Sequence, residues 1–388
     1  MGSPLRVLHV VVNMNRGGAE TLIMNLYKNI DRSKVQFDFL TCKEGLFDEE
    51  IQQMGGTIHR IPYITDIGHF KYVEELNRFF NEHNYYKIVH SHMDKMSGLI
   101  LNAAKKTGIP IRISHSHNTS SEGSFPVRFY KWVIGCNVLG NSTNLFACSR
   151  EAADWLFQKK SDNAKILKNG IEYKKFSFSP EVRNEVRKEL NLNNHFIMGH
   201  VGRFNQQKNH SFLIDIFTEV NKRNKESMLL LIGDGPLRGE IEKKVIALGL
   251  QENVIFLGIR NDINHILQAF DVFVFPSFHE GLPVSIVEAQ GAGLPCVISN
   301  VISEEVDLGL NLICFESIKN TPEAWARKVL EQRKIRSANP SKKIQEKGFD
   351  ISITAVWLEK YYLELVGNKQ VKLGSNEELK ECQNYHVL

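Results

Sequence analysis

Arg203 and Lys208 share one short polar stretch, Gly202-Arg203-Phe204-Asn205-Gln206-Gln207-Lys208-Asn209-His210. Arginine presents a planar fork to phosphate oxygens and lysine a point charge, so together they suit a diphosphate and can neutralise a departing nucleotide. Taken alone, such a stretch is more commonly a solvated charged loop. Farther on, Pro276-Ser-Phe-His-Glu280-Gly281-Leu282-Pro283-Val-Ser-Ile-Val-Glu288 carries two carboxylates around a helix start. Pro283 fixes that start, and the free amides and positive dipole end of the helix favour a diphosphate. Glu280 precedes the helix and Glu288 lies roughly one and a half turns into it, so the two address different ends of one ligand. A ribose hydroxyl pair is the natural partner of Glu288, by analogy with the acidic residue of dinucleotide sites.

Three glycine turns accompany these groups. Gly17-Gly18, in Asn15-Arg16-Gly17-Gly18-Ala19-Glu20, opens a helix whose amides can face an anion or a sugar hydroxyl. A plain strand-to-helix turn explains it equally well. Gly233-Asp234-Gly235-Pro236 lets backbone approach a ligand closely. Gly258-Ile259-Arg260 offers backbone amides to a flat nucleobase, on position alone. His90 with His92, and His115 with His117, form pairs that share one face of a strand. Four imidazoles can bind zinc, but no helical His pair or nearby Cys completes a familiar spacing, and strand-exit histidines often contact sugars or simply cap.

The elements that must position these residues show as an alternation of short β-branched runs with helix-length amphipathic segments. The runs are Leu5 to Val12, Gln36 to Thr41, Thr57 to Ile61, Lys87 to Ser91, Ile109 to Ser114 and Asn144 to Cys148. The rhythm restarts with Phe196 to Val201, Met228 to Ile232, Val254 to Leu257, Asp271 to Phe275, Cys296 to Ser299 and Leu312 to Phe315. Ala19, Leu22, Leu26 and Ile30, and likewise Phe212, Ile216, Phe217 and Val220, recur at helical spacing and read as core faces. The expected fold class is therefore α/β, with two Rossmann-like doubly wound parallel-sheet domains facing a cleft. Ligands of such sheets bind outside the carboxyl ends of the strands, which is where every residue named above falls. The expected units are residues 1–178 and 195–350, with the polar interval 178–194 between them as the hinge. A helix at about 351–366 carries Trp357, Tyr361, Tyr362 and Leu365 and completes the first unit, and 367–388 reads as a frayed polar tail.

Bulk properties narrow the function classes. A chain of 388 residues suits two domains, and 42% hydrophobic with 24% charged residues gives both a core. Net charge is only +4, too little to argue for a nucleic-acid track. The six cysteines at 42, 136, 148, 296, 314 and 382 include no CxxC pair and read as mostly buried thiols in a reducing compartment. Leu5 to Val12 is too short for a signal peptide, and Trp132 to Cys148 is too interrupted for a bilayer span, so a cytoplasmic protein is expected.

Taken together, the Glu280 to Glu288 segment, Gly17-Gly18, Asn169-Gly170-Ile171-Glu172 and Gly202-Arg203 with Lys208 resemble glycosyltransferase family 4, over almost the whole chain from Leu5 to about Leu365. The resemblance implies the GT-B fold and retaining transfer of a sugar from a nucleotide diphosphate, UDP by preference, onto a saccharide or lipid-linked saccharide. It implies that Arg203 and Lys208 hold the diphosphate, Glu288 the ribose and Glu280 the donor sugar, with Gly17 and Gly18 approaching from the other half. His117, or His115 in a competing alignment, takes the place of the family's histidine after the fifth strand, for sugar contact or proton handling. No Asp-x-Asp occurs, so metal-independent chemistry without a cofactor is expected, with same-face displacement assisted by the leaving phosphate.

The opening Asn13-Met-Asn-Arg-Gly-Gly-Ala-Glu-Thr21 is most similar to bacterial exopolysaccharide and capsule enzymes of this family. That implies a polyprenyl-linked acceptor at the inner face of the cell membrane. Phe129, Tyr130 and Trp132, interleaved with Arg128 and Lys131, suit a membrane interface, and equally a core-facing helix with snorkelling cations. Rival functions are a sugar-nucleotide epimerase of the same architecture, an inactive nucleotide-sugar-binding partner and, more remotely, an NAD-dependent dehydrogenase. The last lacks a Gly-x-Gly-x-x-Gly after the first strand.

Overall fold

The alternating runs form two sheets in the computed structural model, which describes residues 3–121, 123–332 and 341–374. The first sheet contains β1 (Leu5–Val10), β2 (Val35–Thr41), β3 (Ile58–Arg60), β4 (Ile88–Ser91), β5 (Ile111–Ser116), β6 (Asn144–Ala147) and β7 (Lys165–Ile166). The second contains β8 (Phe196–Val201), β9 (Ser227–Ile232), β10 (Val254–Gly258), β11 (Val272–Phe275), β12 (Cys296–Ser299) and β13 (Ile313–Glu316). Their orders are β3-β2-β1-β4-β5-β6-β7 and β10-β9-β8-β11-β12-β13, and the described pairings are parallel. Chain order reverses between β1 and β4 and again between β8 and β11, the switch points where an open parallel sheet leaves a crevice. Strands β2 and β9, each next to an edge strand, are buried along their whole length. β7 was not anticipated, since two residues carry no periodicity.

Helices pack on these sheets. In α1 (Gly18–Asn29) Leu22, Ile23, Leu26 and Tyr27 face the first sheet, while α2 (Phe125–Gly135) buries only Ile134 and leaves most of its apolar side chains exposed. The terminal helix α6 (Ile351–Gly374) returns to the first half, where Ala355, Leu358 and Tyr362 join the core formed with β1 and β2. It runs on to Gly374, farther than its composition suggests, and residues 375–388 lie outside the described residues. Among the described residues no helix is long and apolar enough to cross a membrane.

The polar interval 178–194 is not a hinge. It holds α3 (Pro180–Glu189), capped by the Ser179 hydroxyl. Arg183 and Arg187 both grip Asp271, at 2.5 and 2.7 Å, and also bond carbonyl oxygens of residues 268–270. These arginines are satisfied by protein, so the interval is polar in sequence yet docked on the second half. The crossing lies earlier: Ile171 N donates to Phe349 O (2.8 Å) and Ile351 N to Ile171 O (3.2 Å), so the outgoing and returning chains pair side by side. The thiols also depart from expectation. Cys148 and Cys296 are buried, Cys42 and Cys314 half-buried, and Cys136 exposed at the end of the unpacked helix α2. Cys382 lies outside the described residues.

Candidate active site

On the second half, two strand exits are laced together before they present any charge. Asn209, in a left-handed conformation (φ 55°), donates to Pro276 O at 3.1 Å just ahead of α4 (His210–Arg223). Gln207 Nε2 donates to His279 O (2.8 Å), and Phe278 N donates back to Gln207 O (2.9 Å). This lacing sets Lys208 Nζ 2.7 Å from Glu280 Oε1 and 4.5 Å from the centre of the Phe275 ring. The two charged side chains are only 15% and 9% exposed, so removing either partner strands a buried charge, at a cost of about 3–5 kcal/mol. Arg203 is exposed on the same loop, and its charge reaches Glu20 across the cleft.

Phe204 ties the next exit to this loop: its N–H donates to Asp234 O, and its carbonyl accepts from Leu237 N, both at 3.0 Å. Gly233 (φ +130°) is required there, because a Cβ would meet Gly202 O at 2.1 Å. Gly258 ends β10 and exposes Ile259. Beyond it, Arg260 O and the Asn261 side chain accept hydrogen bonds from Arg16 of the first half. The helix α5 (Val284–Gly291) starts just after Pro283, with no side chain capping it, which leaves its first amides and dipole available to an anion. Glu288 stands on that helix with no countercharge acting on it among the described residues, and burial pushes its carboxyl up to about 7.

The first half meets this surface with different chemistry. Gly17 precedes α1, again without a capping side chain. Glu20, one turn in, keeps part of its surface open to the cleft, yet burial raises its carboxyl to about 7 against the pull of its own amide and of Arg203. Asp94, also raised by burial, accepts from His117 N (3.0 Å) and from Asn118 Nδ2 (2.8 Å). Neither carboxylate was singled out from sequence. Glu20 lay within the Gly-Gly-Ala-Glu turn and Asp94 just past His92 at the fourth exit, positions that only the strand-exit rule could have flagged.

The two histidine alignments separate cleanly. His115 lies within β5, fully buried against His90, whereas His117 lies beyond the strand end, at the cleft. The turn Gly281-Leu282-Pro283 is where the halves touch. A Cβ on Gly281 would meet His117 O at 2.1 Å, Thr119 Oγ1 donates to Glu280 O (3.1 Å), and Asn169 Nδ2 donates to Leu282 O (2.6 Å). The four histidines set aside for zinc do come together, joined by His9. His9, His90 and His92 form one group, and His92, His115 and His117 another, with ring nitrogens within 4.8 Å of one another in each. Burial lowers all five pKa values, those of His9 and His117 to about 3.

Comparison with known proteins agrees with this geometry. Residues 17–170 match the family described as glycosyl transferase 4-like domain, and residues 195–332 that described as glycosyl transferases group 1. EpsF of Bacillus subtilis (strain 168), which is assigned to the glycosyltransferases, is 40% identical over 335 residues, 84% of this chain and 87% of EpsF. The chain belongs to glycosyltransferase family 4. Another relative of this glycosyltransferase is the UDP-Gal:α-D-GlcNAc-diphosphoundecaprenol α-1,3-galactosyltransferase of Escherichia coli, 29% identical over 95% of this chain and 99% of that one. HepE of Anabaena, solved with UDP and glucose, superposes with a TM-score of 0.76 at 19% identity, covering 92% of this chain and 99% of HepE. Likeness at that identity speaks to fold, and the fold of this glycosyltransferase is GT-B.

Proposed function

We propose that this glycosyltransferase moves a hexose or N-acetylhexosamine from a UDP-sugar to a saccharide carried on polyprenyl diphosphate, with retention and without a metal ion, in exopolysaccharide or capsule assembly. The observation that carries this reading is the buried Lys208–Glu280 pair beside the uncapped start of α5. A diphosphate laid there takes over the charge of Lys208 and meets Arg203 and the helix amides, freeing Glu280 to accept from a sugar hydroxyl. Glu288 receives the ribose hydroxyls, Gly258 and Ile259 flank the base, and Gly233 and Gly235 let backbone come close. Gly17 and Gly18 approach from the first half, where His117 meets the donor sugar. In this reading the second half binds the donor and the first half the acceptor. The leaving phosphate, steadied by Arg203 and Lys208, takes the proton of the acceptor hydroxyl as the new bond forms on the same face.

The acceptor class rests on the Escherichia coli relative, whose name specifies a diphosphoundecaprenol-linked saccharide. It also rests on α2, where Phe125 is 80%, Phe129 56% and Trp132 52% exposed alongside Arg128 and Lys131. An apolar face of that kind, flanked by cations, suits the inner face of the cell membrane, where a polyprenyl carrier resides. An epimerase or an inactive binding partner has no comparable use for such a face.

The test is nucleotide release from a panel of UDP-, GDP- and ADP-sugars without added metal, comparing wild type with Arg203→Ala and Glu288→Ala. Release from a UDP-sugar that survives chelator and is lost in both variants is the expected result. Dependence on a divalent ion would overturn the metal-free mechanism, and failure to release or bind any nucleotide would favour the inactive partner.

A further inference from the structure

Behind His117 stands a row of imidazoles for which sugar transfer, as set out above, has no use. His9 Nδ1 lies 3.0 Å from His92 Nε2, and His92 Nδ1 lies 2.8 Å from His117 Nε2. The ring centroids in these pairs are 5.2 and 5.1 Å apart, the spacing of imidazoles that meet edge to edge along the N···N line. A second row, His90 Nε2 to His115 Nδ1 at 3.2 Å, is closed by the Tyr362 hydroxyl 2.6 Å from His90 Nδ1. The rows stack on each other, His90 on His92 at 4.3 Å and His115 on His117 at 4.0 Å. In-plane lone pairs of rings placed this way point at one another and not at a common centre, so N–H···N bonds account for the geometry better than a metal ion does.

A neutral imidazole has one donor and one acceptor nitrogen, and burial keeps these rings neutral. The row His9–His92–His117 therefore has two self-consistent proton arrangements. In one, His9 donates to His92, His92 donates to His117, and an N–H is left at His117 Nδ1. In the other, every proton is reversed and an N–H is left at His9 Nε2. Both terminal nitrogens are buried without a partner. The His9 end is enclosed by the rings of Phe37, Phe39 and Tyr362, where an orphaned N–H is costlier than an orphaned lone pair. Asp38, whose charge acts on His9, is already held by Arg6 at 2.6 Å. Asp94, beside His117, accepts from the amides of His117 itself and Asn118, and the charges of Lys131 and Lys95 act on it. The positive end of the row thus lies on the His117 side, toward Asp94.

We propose that His92, backed by His9, holds His117 in its Nδ1–H tautomer: Nε2 accepts from His92 and Nδ1 carries the proton, so His117 has no free lone pair and does not act as a general base. His92 is then a positioning residue that fixes which ring nitrogen of its neighbour carries the proton. The consequence for catalysis rests on the proposed function; the tautomer does not.

The experiment is 15N NMR of the full chain labelled at histidine, whose ring couplings distinguish Nδ1–H from Nε2–H without any turnover. Wild type and His92→Asn, whose amide nitrogen falls where His92 Nδ1 stands, are expected to show His117 as Nδ1–H, and His92→Phe a mixture. With the donor found by nucleotide release, His92→Phe lowers kcat about tenfold while His92→Asn stays within about threefold. Nε2–H on His117 in the wild type, or an unchanged tautomer in His92→Phe, overturns the proposal. So does one equivalent of zinc bound to wild type and lost in His92→Asn, which would make the cluster a metal site. Should His92→Phe fail to fold, wild type and His92→Asn still decide the tautomer. If no donor is turned over, the transferase reading fails while the NMR result continues to judge the lock.

Discussion

Toward their carboxyl ends β1, β4 and β5 carry imidazoles that burial keeps uncharged, whereas β8 and β11 reach the cleft through loops carrying Arg203, Lys208 and Glu280. The two halves share one architecture, down to the position of the switch point, so the contrast comes from the side chains alone. In the proposed reading the charged end of the donor meets the second half and its neutral, hydroxyl-rich end the first, where the carboxyls of Glu20 and Asp94 also stand. Charge on the second half recognises strongly and at some distance, while directional hydrogen bonds on the first half sort hydroxyls by geometry.

The sharpest way to break the comparison is at the charged wall. Lys208→Met is expected to lower kcat/KM for nucleotide release about 10²–10³-fold, the scale of one lost electrostatic contact to a leaving group. It also strands Glu280, so its thermal midpoint falls, and adding Glu280→Gln should recover stability but not activity. Recovery of both would reduce the pair to a structural feature. Next comes the seam. Gly281→Ala places a methyl group against the His117 carbonyl, which sits at a strand end and has little freedom to move. A loss of about tenfold to a hundredfold in kcat is expected, with small-angle scattering showing a wider cleft than in wild type. Gly140→Ala, whose Cβ would meet nothing within 4 Å, serves as the control, and equal losses in both would refute the seam.

The smallest effect is in stability against pH. A histidine whose folded pKa is depressed contributes stability that is present above its ordinary value of about 6.5 and lost as pH falls toward the folded value. Among the described residues the first half has six such groups, His59 and the five of the two rows, falling to about 3 for His9 and His117, and two opposing carboxyls, Glu20, raised to about 7, and Asp94. The second half has His200 and His210, opposed by Glu288, whose raised carboxyl favours folding below its unfolded pKa and loses that advantage as pH rises through about 7. Hydrogen exchange between pH 7 and 5 should therefore show β4 and β5 losing protection more steeply than β8 and β9. Equal slopes would mean that the imidazole rows open to water more easily than their burial implies.

The elements were legible because parallel strands buried on both faces leave nearly continuous apolar runs, as in Ser227–Ile232 and Val272–Phe275. The nearness of Arg203, Lys208 and Glu280 could be read because each lies in the loop after a strand exit, and Glu288 was reached through the helix start that Pro283 marks. That Lys208 and Glu280 pair could not be, since it depends on β8 and β11 being neighbours in the sheet although two strands separate them in sequence. The imidazole row was hidden for the same reason: His9 meets His92 only because β1 pairs with β4. The misplaced hinge has another origin. Composition reports polarity but not its partner, and the arginines of α3 are satisfied by Asp271 and backbone carbonyls where water was assumed.

The pairing of Ile171 with Asp350 also bears on modularity. Because the chain enters and leaves the second half through adjacent backbone, residues 172–350 form an insert whose two ends are neighbours. Such an insert can be excised and exchanged between relatives through two closely spaced splice points, without rethreading the rest of the polypeptide. With the donor and acceptor divided between the halves as proposed, variation in each can be selected separately and recombined, one half at a time.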